Sequence, residues 1–203
     1  MNGKKQFRNS LLNIIWCVAT AALAIAVVFT LAVVLTPSAQ AQTPATSVVW
    51  TEKLLHSFND TDGALPRAGL IFDAAGNLYG TTNAGGTYDA GTVFKLAPTG
   101  DGSWTETVLH NFGNGTDGAL PAAGLIFDAA GNLYGTTEVG GFYGDGTVFE
   151  LTPNGSGGWT EQVLFSFNLA DGWYPYAGLI LDAAGNLYGT TYTGGFSLRA
   201  VAH

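Results

Sequence analysis

The residues of this chain that could do chemistry recur in threes. One set of aspartates opens the phrase DAAGNLYGTT, and a second set precedes glycine in NDTDG, NGTDG and NLADG. The two sets are Asp73, Asp128 and Asp182, and Asp62, Asp117 and Asp171. An aspartate beside a Gly-Asn turn commonly accepts hydrogen bonds from turn amides, so we expect the first set to cap turns. NDTDG lacks the alternating acids and distal glutamate of a calcium loop, so the second set is also interpreted as turn residues. The sequence thus predicts no metal site and no cofactor.

Two histidines occupy equivalent positions in the repeated segments WTEKLLHSF and WTETVLHNF. They are His56 and His110, and the third copy has Phe165 in the same place. Because a position that accepts phenylalanine is a packing position, both histidines are interpreted as half-buried structural residues. No serine or cysteine stands in a nucleophile-elbow context, so the sequence predicts no catalytic residue.

The third copy carries an aromatic cluster that the other two lack. DGALP becomes DGWYP, and the position of Arg67 and Ala122 is taken by tyrosine. Trp173, Tyr174 and Tyr176 are therefore the candidate ligand contacts. Exposed aromatic faces could stack on sugar rings. The sequence does not identify a partner, and a carbohydrate or a cell-surface component is the candidate that these residues offer. The alternative is that the cluster caps the last repeat.

All of these residues lie in a tandem repeat, so the fold of the repeat must position them. DAAGNLYGTT recurs at intervals of 55 and 54 residues, and such a period is typical of repeat architectures. One unit contains four short predicted strands, GLIFD, NLYGTT, GTVFKL and WTExxL, and a further copy of the last is predicted at Trp50–Phe58. The repeats run roughly over residues 50–103, 104–158 and 159–203, the last one truncated.

Four short antiparallel strands in every repeat indicate a β-propeller blade. One such sheet cannot bury both faces alone, so it must pack on its neighbours. The expected fold is all-β, with about 2.5–3 propeller-like blades where a closed propeller has 4–8. Open blade edges would favour self-association.

The motifs GNLYGTTxxGG and GTVFxLxPxG, in tandem, resemble the repeat of bacterial exported proteins of the GloVer (Gloeobacter/Verrucomicrobia-type) family. The resemblance covers roughly Trp50 to Gly195. GLIFDAAGNLYGTT is also similar, more loosely, to blades of NHL and gluconolactonase-type propellers. The first resemblance implies an exported or surface-displayed β-repeat protein, and it supplies no catalytic residues. After Gly195, FSLRAVAH replaces the expected GTVFxL, so we expect either a truncated reading of a longer protein or an arc completed by another copy.

Residues 1–41 are interpreted as a signal peptide or an N-terminal membrane anchor. They combine a basic start, an uncharged apolar run from Leu11 to Leu35 and an A-x-A site that ends at Ala41, which is the pattern of a secretory signal. The run is also long enough to span a bilayer as a helix. Residues 42–203 are therefore expected to be secreted or at the cell surface, or alternatively held outside the cytoplasm by an inner-membrane anchor.

Charge and repetition narrow the expected function. The net charge of −8 opposes binding to phosphate backbones, so nucleic acid is not an expected partner, and a membrane is contacted only through the N-terminal segment. The repeats are near copies, whereas an active site needs unlike polar residues that converge. We therefore expect a non-enzymatic exported scaffold or binding protein. The alternatives are a propeller hydrolase of the lactonase type, or a truncated fragment without independent activity.

Overall fold

The computed structural model describes residues 50–194, which are all-β. The chain divides after Leu54 into two compact units, and the strands of the described part lie in the second. They form three antiparallel sheets, two with four strands and one with two. Within residues 50–194 no helix is long and apolar enough to cross a membrane. The predicted signal or anchor at residues 1–41 lies outside the described residues.

The two complete sheets have the same strand order. The first contains β1 (Ile71–Phe72), β2 (Leu78–Thr82), β3 (Thr92–Pro98) and β4 (Trp104–Asn111). The second contains β5 (Ile126–Phe127), β6 (Leu133–Thr137), β7 (Thr147–Pro153) and β8 (Trp159–Ser166). The third contains β9 (Ile180–Leu181) and β10 (Leu187–Tyr188). The predicted order of four strands per unit is confirmed, and the sequence repeats that start at residues 104 and 159 start on the fourth strand of a sheet.

The additional strand predicted at Trp50–Phe58 is wrong, because residues 50–58 form no strand. In the complete sheets the WTExxL strand pairs along its length with the GTVFxL strand that precedes it, for example Thr107 with Lys95. The sequence before Trp50 contains no GTVFxL segment. Within residues 50–194 no GTVFxL strand precedes this copy, so the ladder of the complete sheets does not form here.

A glycine in the middle of the second strand of each four-stranded sheet lets an aromatic ring lie across the backbone. Gly135 pairs with Phe149 across β6 and β7, and a Cβ atom added at Gly135 would lie 2.6 Å from Cζ of Phe149. Gly80 and Phe94 have the same relation in the first sheet, at 2.8 Å. The glycine of LYGTT is thus required by close approach, as interior glycines of strands often are.

The buried core lies between successive sheets. One cluster joins Tyr79 and Val93 of the first sheet to Leu133, Phe149 and Leu151 of the second. A second cluster joins the second sheet to the third through Val148, Leu179 and Leu187. Hydrogen bonds also join each of these sheets to the next repeat. The hydroxyl of Thr81 donates to the carbonyl of Ala123 at 3.1 Å, and that of Thr136 donates to the carbonyl of Pro175 at 2.9 Å. The first sheet therefore buries apolar side chains against the second, and the second does so against the third. This is expected of a repeat that cannot bury both faces alone.

Candidate functional site

The aspartates of DAAGNLYGTT cap the hairpin turns, as the sequence predicts. Oδ1 of Asp128 accepts hydrogen bonds from the amides of Ala130 (2.9 Å) and Asn132 (2.8 Å), and Oδ2 accepts from Nδ2 of Asn132 (2.8 Å) and the hydroxyl of Tyr134 (3.1 Å). Burial opposes ionisation, but the hydrogen bonds outweigh it and hold the pKa of Asp128 below its usual value. Asp73 and Asp182 make the same contacts in their hairpins. A carboxylate that four donors already occupy is a structural cap and not a free acid.

The histidines and the aspartates of the second set, which the sequence presented separately, are partners in the structure. Nε2 of His56 lies 3.0 Å from Oδ2 of Asp62, and Nε2 of His110 lies 3.1 Å from Oδ2 of Asp117. Both histidine side chains are mostly buried, so the prediction of half-buried residues is confirmed, but packing alone does not describe their role. The third copy has phenylalanine at the histidine position, and its Asp171 accepts a hydrogen bond from the side chain of Asn168.

A glutamate from the following WTE segment approaches each His–Asp pair. Glu106 of β4 lies near His56 and Asp62, and the ligand atoms of the three side chains all lie within 4.8 Å of one another. Burial, and after it the charge of Asp62, raises the pKa of Glu106. Sequence reasoning missed this glutamate, because the WTE segment was interpreted only as part of a strand with alternating buried and exposed residues. The available signal was that the acid is present in every copy of a segment whose neighbouring positions vary.

Glu161 of β8 occupies the equivalent position in the second complete sheet, but among the described residues it does not form such a three-residue group with His110 and Asp117. Burial, and after it the charge of Asp117, raises the pKa of Glu161 to about 7. Within the part of the chain that the structure describes, Oε1 of Glu161 and Oε1 of Glu106 are both buried without a hydrogen-bond partner. Such oxygens are rare in folded proteins and call for a physical explanation.

The predicted ligand contacts Trp173, Tyr174 and Tyr176 lie together as one aromatic stack. The ring centroids of Trp173 and Tyr174 are 4.7 Å apart at 24° between planes, and those of Tyr174 and Tyr176 are 5.7 Å apart at 13°. Tyr174 adopts a positive φ of 53°, which Leu65 and Leu120 share at the equivalent positions. The backbone turn is therefore common to all three repeats, and the rings are particular to the third.

Two positions that differ among the repeats meet beside this stack. Nδ2 of Asn83 donates to Oε1 of Glu138 at 3.1 Å, and Nη1 of Arg67 lies 3.8 Å from the same oxygen. Tyr192, at the position of Asn83 and Glu138, packs its ring edge-on against Tyr176 at 5.6 Å. Burial, and after it the charge of Glu138, raises the pKa of Tyr176. We call Arg67, Asn83, Glu138, Tyr176 and Tyr192 the variable row.

Successive antiparallel sheets with their core between them define an all-β tandem-repeat protein. Residues that are constant among the repeats form the sheets, and the residues of the variable row differ from one repeat to the next. The chain belongs to the Gloeobacter/Verrucomicrobia repeat family, whose model matches residues 41–201. The resemblance drawn from the GNLYGTT and GTVFxL motifs is thereby confirmed. A comparison with curated proteins found no match.

Proposed function

We propose that this chain is a non-enzymatic, exported scaffold of propeller-type blades that binds carbohydrate at the aromatic stack and the variable row. The observation that carries the proposal is the stacking of Trp173, Tyr174 and Tyr176 next to charged and amide side chains. Binding sites for small molecules typically combine aromatic surface with a few polar groups that fix orientation.

The chemistry of the site fits a sugar. Tyr176 and Tyr192 are 45% and 76% exposed, so both rings offer surface to the apolar C–H face of a pyranose ring, with Tyr174 stacked on one face of Tyr176. The carboxylate of Glu138 accepts hydrogen bonds from hydroxyl groups, and the guanidinium of Arg67, more than half exposed, donates them. An acidic chain with a net charge of −8 favours such a neutral ligand over a phosphorylated one.

Export is supported by the N-terminal sequence. Its basic start, uncharged apolar run and A-x-A site would direct residues 42–203 across the membrane. The repeats would then be secreted or displayed at the cell surface, with inner-membrane anchoring as the alternative outcome of an uncleaved signal. In both cases the variable row meets extracytoplasmic polysaccharide.

Affinity electrophoresis in gels that contain soluble polysaccharides tests the proposal. We expect the native chain to be retarded in at least one polysaccharide, and Tyr176→Ala or Tyr192→Ala to weaken the retardation about tenfold, in line with loss of a stacking contact of about 1–2 kcal/mol. Tyr88→Ala is the matched control, because Tyr88 is an exposed tyrosine of the first repeat outside the variable row. Equal retardation of the native and Tyr176→Ala proteins, or none in any polysaccharide, contradicts the proposal.

One observation favours a second candidate, a hydrolase of the lactonase type. Arg67, Asn83 and Glu138 are unlike polar residues from two repeats that converge on one oxygen, which is the asymmetry that an active site requires. If the chain hydrolyses lactones and Glu138→Gln abolishes the hydrolysis but keeps polysaccharide retardation, this second function holds. Absence of hydrolysis across lactone substrates leaves the binding scaffold.

A further inference from the structure

We propose that His56, Asp62 and Glu106 form a binding site for one Zn²⁺ ion, where the segment before the first sheet meets strand β4 of that sheet. Their ligand atoms, one imidazole nitrogen and two carboxylate oxygens, all lie within 4.8 Å of one another. The site is separate from the variable row and independent of the proposed carbohydrate binding.

The donor set suits zinc. Zn²⁺ accepts histidine nitrogen and carboxylate oxygen at about 2.0–2.2 Å, so ligand atoms around it lie about 3.3–3.5 Å apart. Nε2 of His56 and Oδ2 of Asp62 are already 3.0 Å apart, so the glutamate needs to move by about 1 Å to close the site. Ca²⁺ is a poorer fit, because it takes oxygen ligands in larger number and does not favour imidazole.

The three side chains are held in place by other contacts. Oδ1 of Asp62 accepts a hydrogen bond from the amide of Asn59 at 2.9 Å, which turns Oδ2 towards His56. The ring of His56 packs edge-on against Phe58, with centroids 4.8 Å apart. Outer contacts of this kind fix the orientation of metal ligands.

The glutamate of the site also carries an oxygen without a partner. Among residues 50–194, Oε1 of Glu106 is a buried carboxylate oxygen that no donor satisfies, and leaving such a group bare is costly. A bound cation would satisfy it. It would also offset the repulsion between the two carboxylates, because a dication, two carboxylates and a neutral imidazole sum to zero charge.

The repeat supplies an internal comparison. At the equivalent place in the second repeat, Nε2 of His110 lies 3.1 Å from Oδ2 of Asp117. Oε1 of Glu161 there also has no hydrogen-bond partner among the described residues. The third copy has Phe165 in place of the histidine. The family fold therefore accepts phenylalanine at this position, which gives a substitution that removes the ligand and keeps the packing.

Titration of the full-length chain with Zn²⁺ by calorimetry, and with Co²⁺ as a visible-spectrum probe of the same site, tests the proposal. We expect His56→Phe to lose one equivalent of bound metal and the tetrahedral Co²⁺ absorption that belongs to it, and Glu106→Gln to bind at least about tenfold more weakly. His110→Phe, the matched control, retains that equivalent. Circular dichroism without metal is recorded for each variant, and if His56→Phe does not fold, the nearly isosteric Glu106→Gln decides.

Three results would overturn the proposal. They are the failure of the native chain to bind either metal at submillimolar concentration, an unchanged equivalent in His56→Phe, and an unchanged affinity in Glu106→Gln. The last two would place the bound metal elsewhere in the chain.

Discussion

Among single residues, the half-buried carboxyl of Glu161 has the clearest consequence for stability. Its pKa is raised to about 7 by burial and then by the charge of Asp117, which is itself hydrogen-bonded to His110. The unfolded chain releases this proton near the ordinary value of about 4.3, so it binds fewer protons than the folded chain between that pH and about 7. Stability is therefore lost as the pH rises through this window, and the loss is complete above it.

We predict that Glu161→Gln stabilises the protein in alkaline but not in acidic solution. At about pH 8 the gain should be about 1 kcal/mol, well below the full linkage value because solvent screens a partly exposed carboxyl. At about pH 3 both side chains are almost entirely neutral in the folded and unfolded chains, and the difference should vanish. Chemical denaturation followed by tryptophan fluorescence at both pH values measures this.

Glu52→Gln is the control for that experiment, because Glu52 occupies the same repeat position and is exposed. Its substitution should leave stability unchanged at both pH values. A gain in Glu161→Gln that is equal in acid and alkali would show that the effect is one of packing and not of ionisation.

For the elements, the hairpin between β5 and β6 depends on one carboxylate. Asp128→Ala removes the acceptor of four hydrogen bonds, and we predict a loss of about 1–2 kcal/mol, as for a lost cap. Because the pKa of Asp128 is depressed, its contribution is present above the unfolded value of about 3.9 and disappears as the pH falls through the folded value. Thermal melts of native and variant proteins should therefore differ near neutrality and converge in acid. Melts that coincide near neutrality would contradict the capping role.

The second strand of each four-stranded sheet depends on close approach at its glycine. Gly135→Ala places a methyl group 2.6 Å from the Phe149 ring, and overpacking of this kind typically costs about 1–3 kcal/mol. Gly124→Ala is the matched control, since the nearest atom to its added Cβ would be 3.6 Å away. We predict a melting temperature several degrees lower for the first variant only. Equal melting temperatures would mean that the ring moves aside without cost.

The strand order of the sheets was predictable because each strand has its own local signal in the alternating residues and the Gly-Asn turn. The segment Trp50–Phe58 shows the limit of that signal, because it has the right alternation and still forms no strand. Alternation is a local signal, whereas a ladder needs a neighbouring strand. Trp173, Tyr174 and Tyr176 were found because they differ among otherwise constant copies. Glu106 was missed because it meets His56 only when the next repeat packs, and period-two alternation within one strand carries no information about that contact.

The packing of whole sheets determines how exposed a repeated residue is. The tyrosine of LYGTT is 6% exposed in the first sheet, where Phe127 and Trp159 of the second sheet pack on it, and 38% exposed as Tyr188 in the third. Ile180 of the third sheet is 69% exposed, whereas the corresponding Ile126 of the second sheet is partly buried. Among residues 50–194 the third sheet thus presents apolar side chains that a following sheet would cover.

We predict that the full-length chain self-associates through this face of the third sheet. An exposed apolar face of this kind favours contact with another copy. Light scattering after size exclusion should give a mass above that of one chain, or concentration-dependent aggregation. Ile180→Lys should shift the distribution towards the monomer, because a charge would have to be desolvated in the contact. Tyr88→Lys, which changes an exposed aromatic residue in the first repeat, should not. A native chain that elutes as a monomer at all concentrations would mean that other residues of the same chain cover the third sheet.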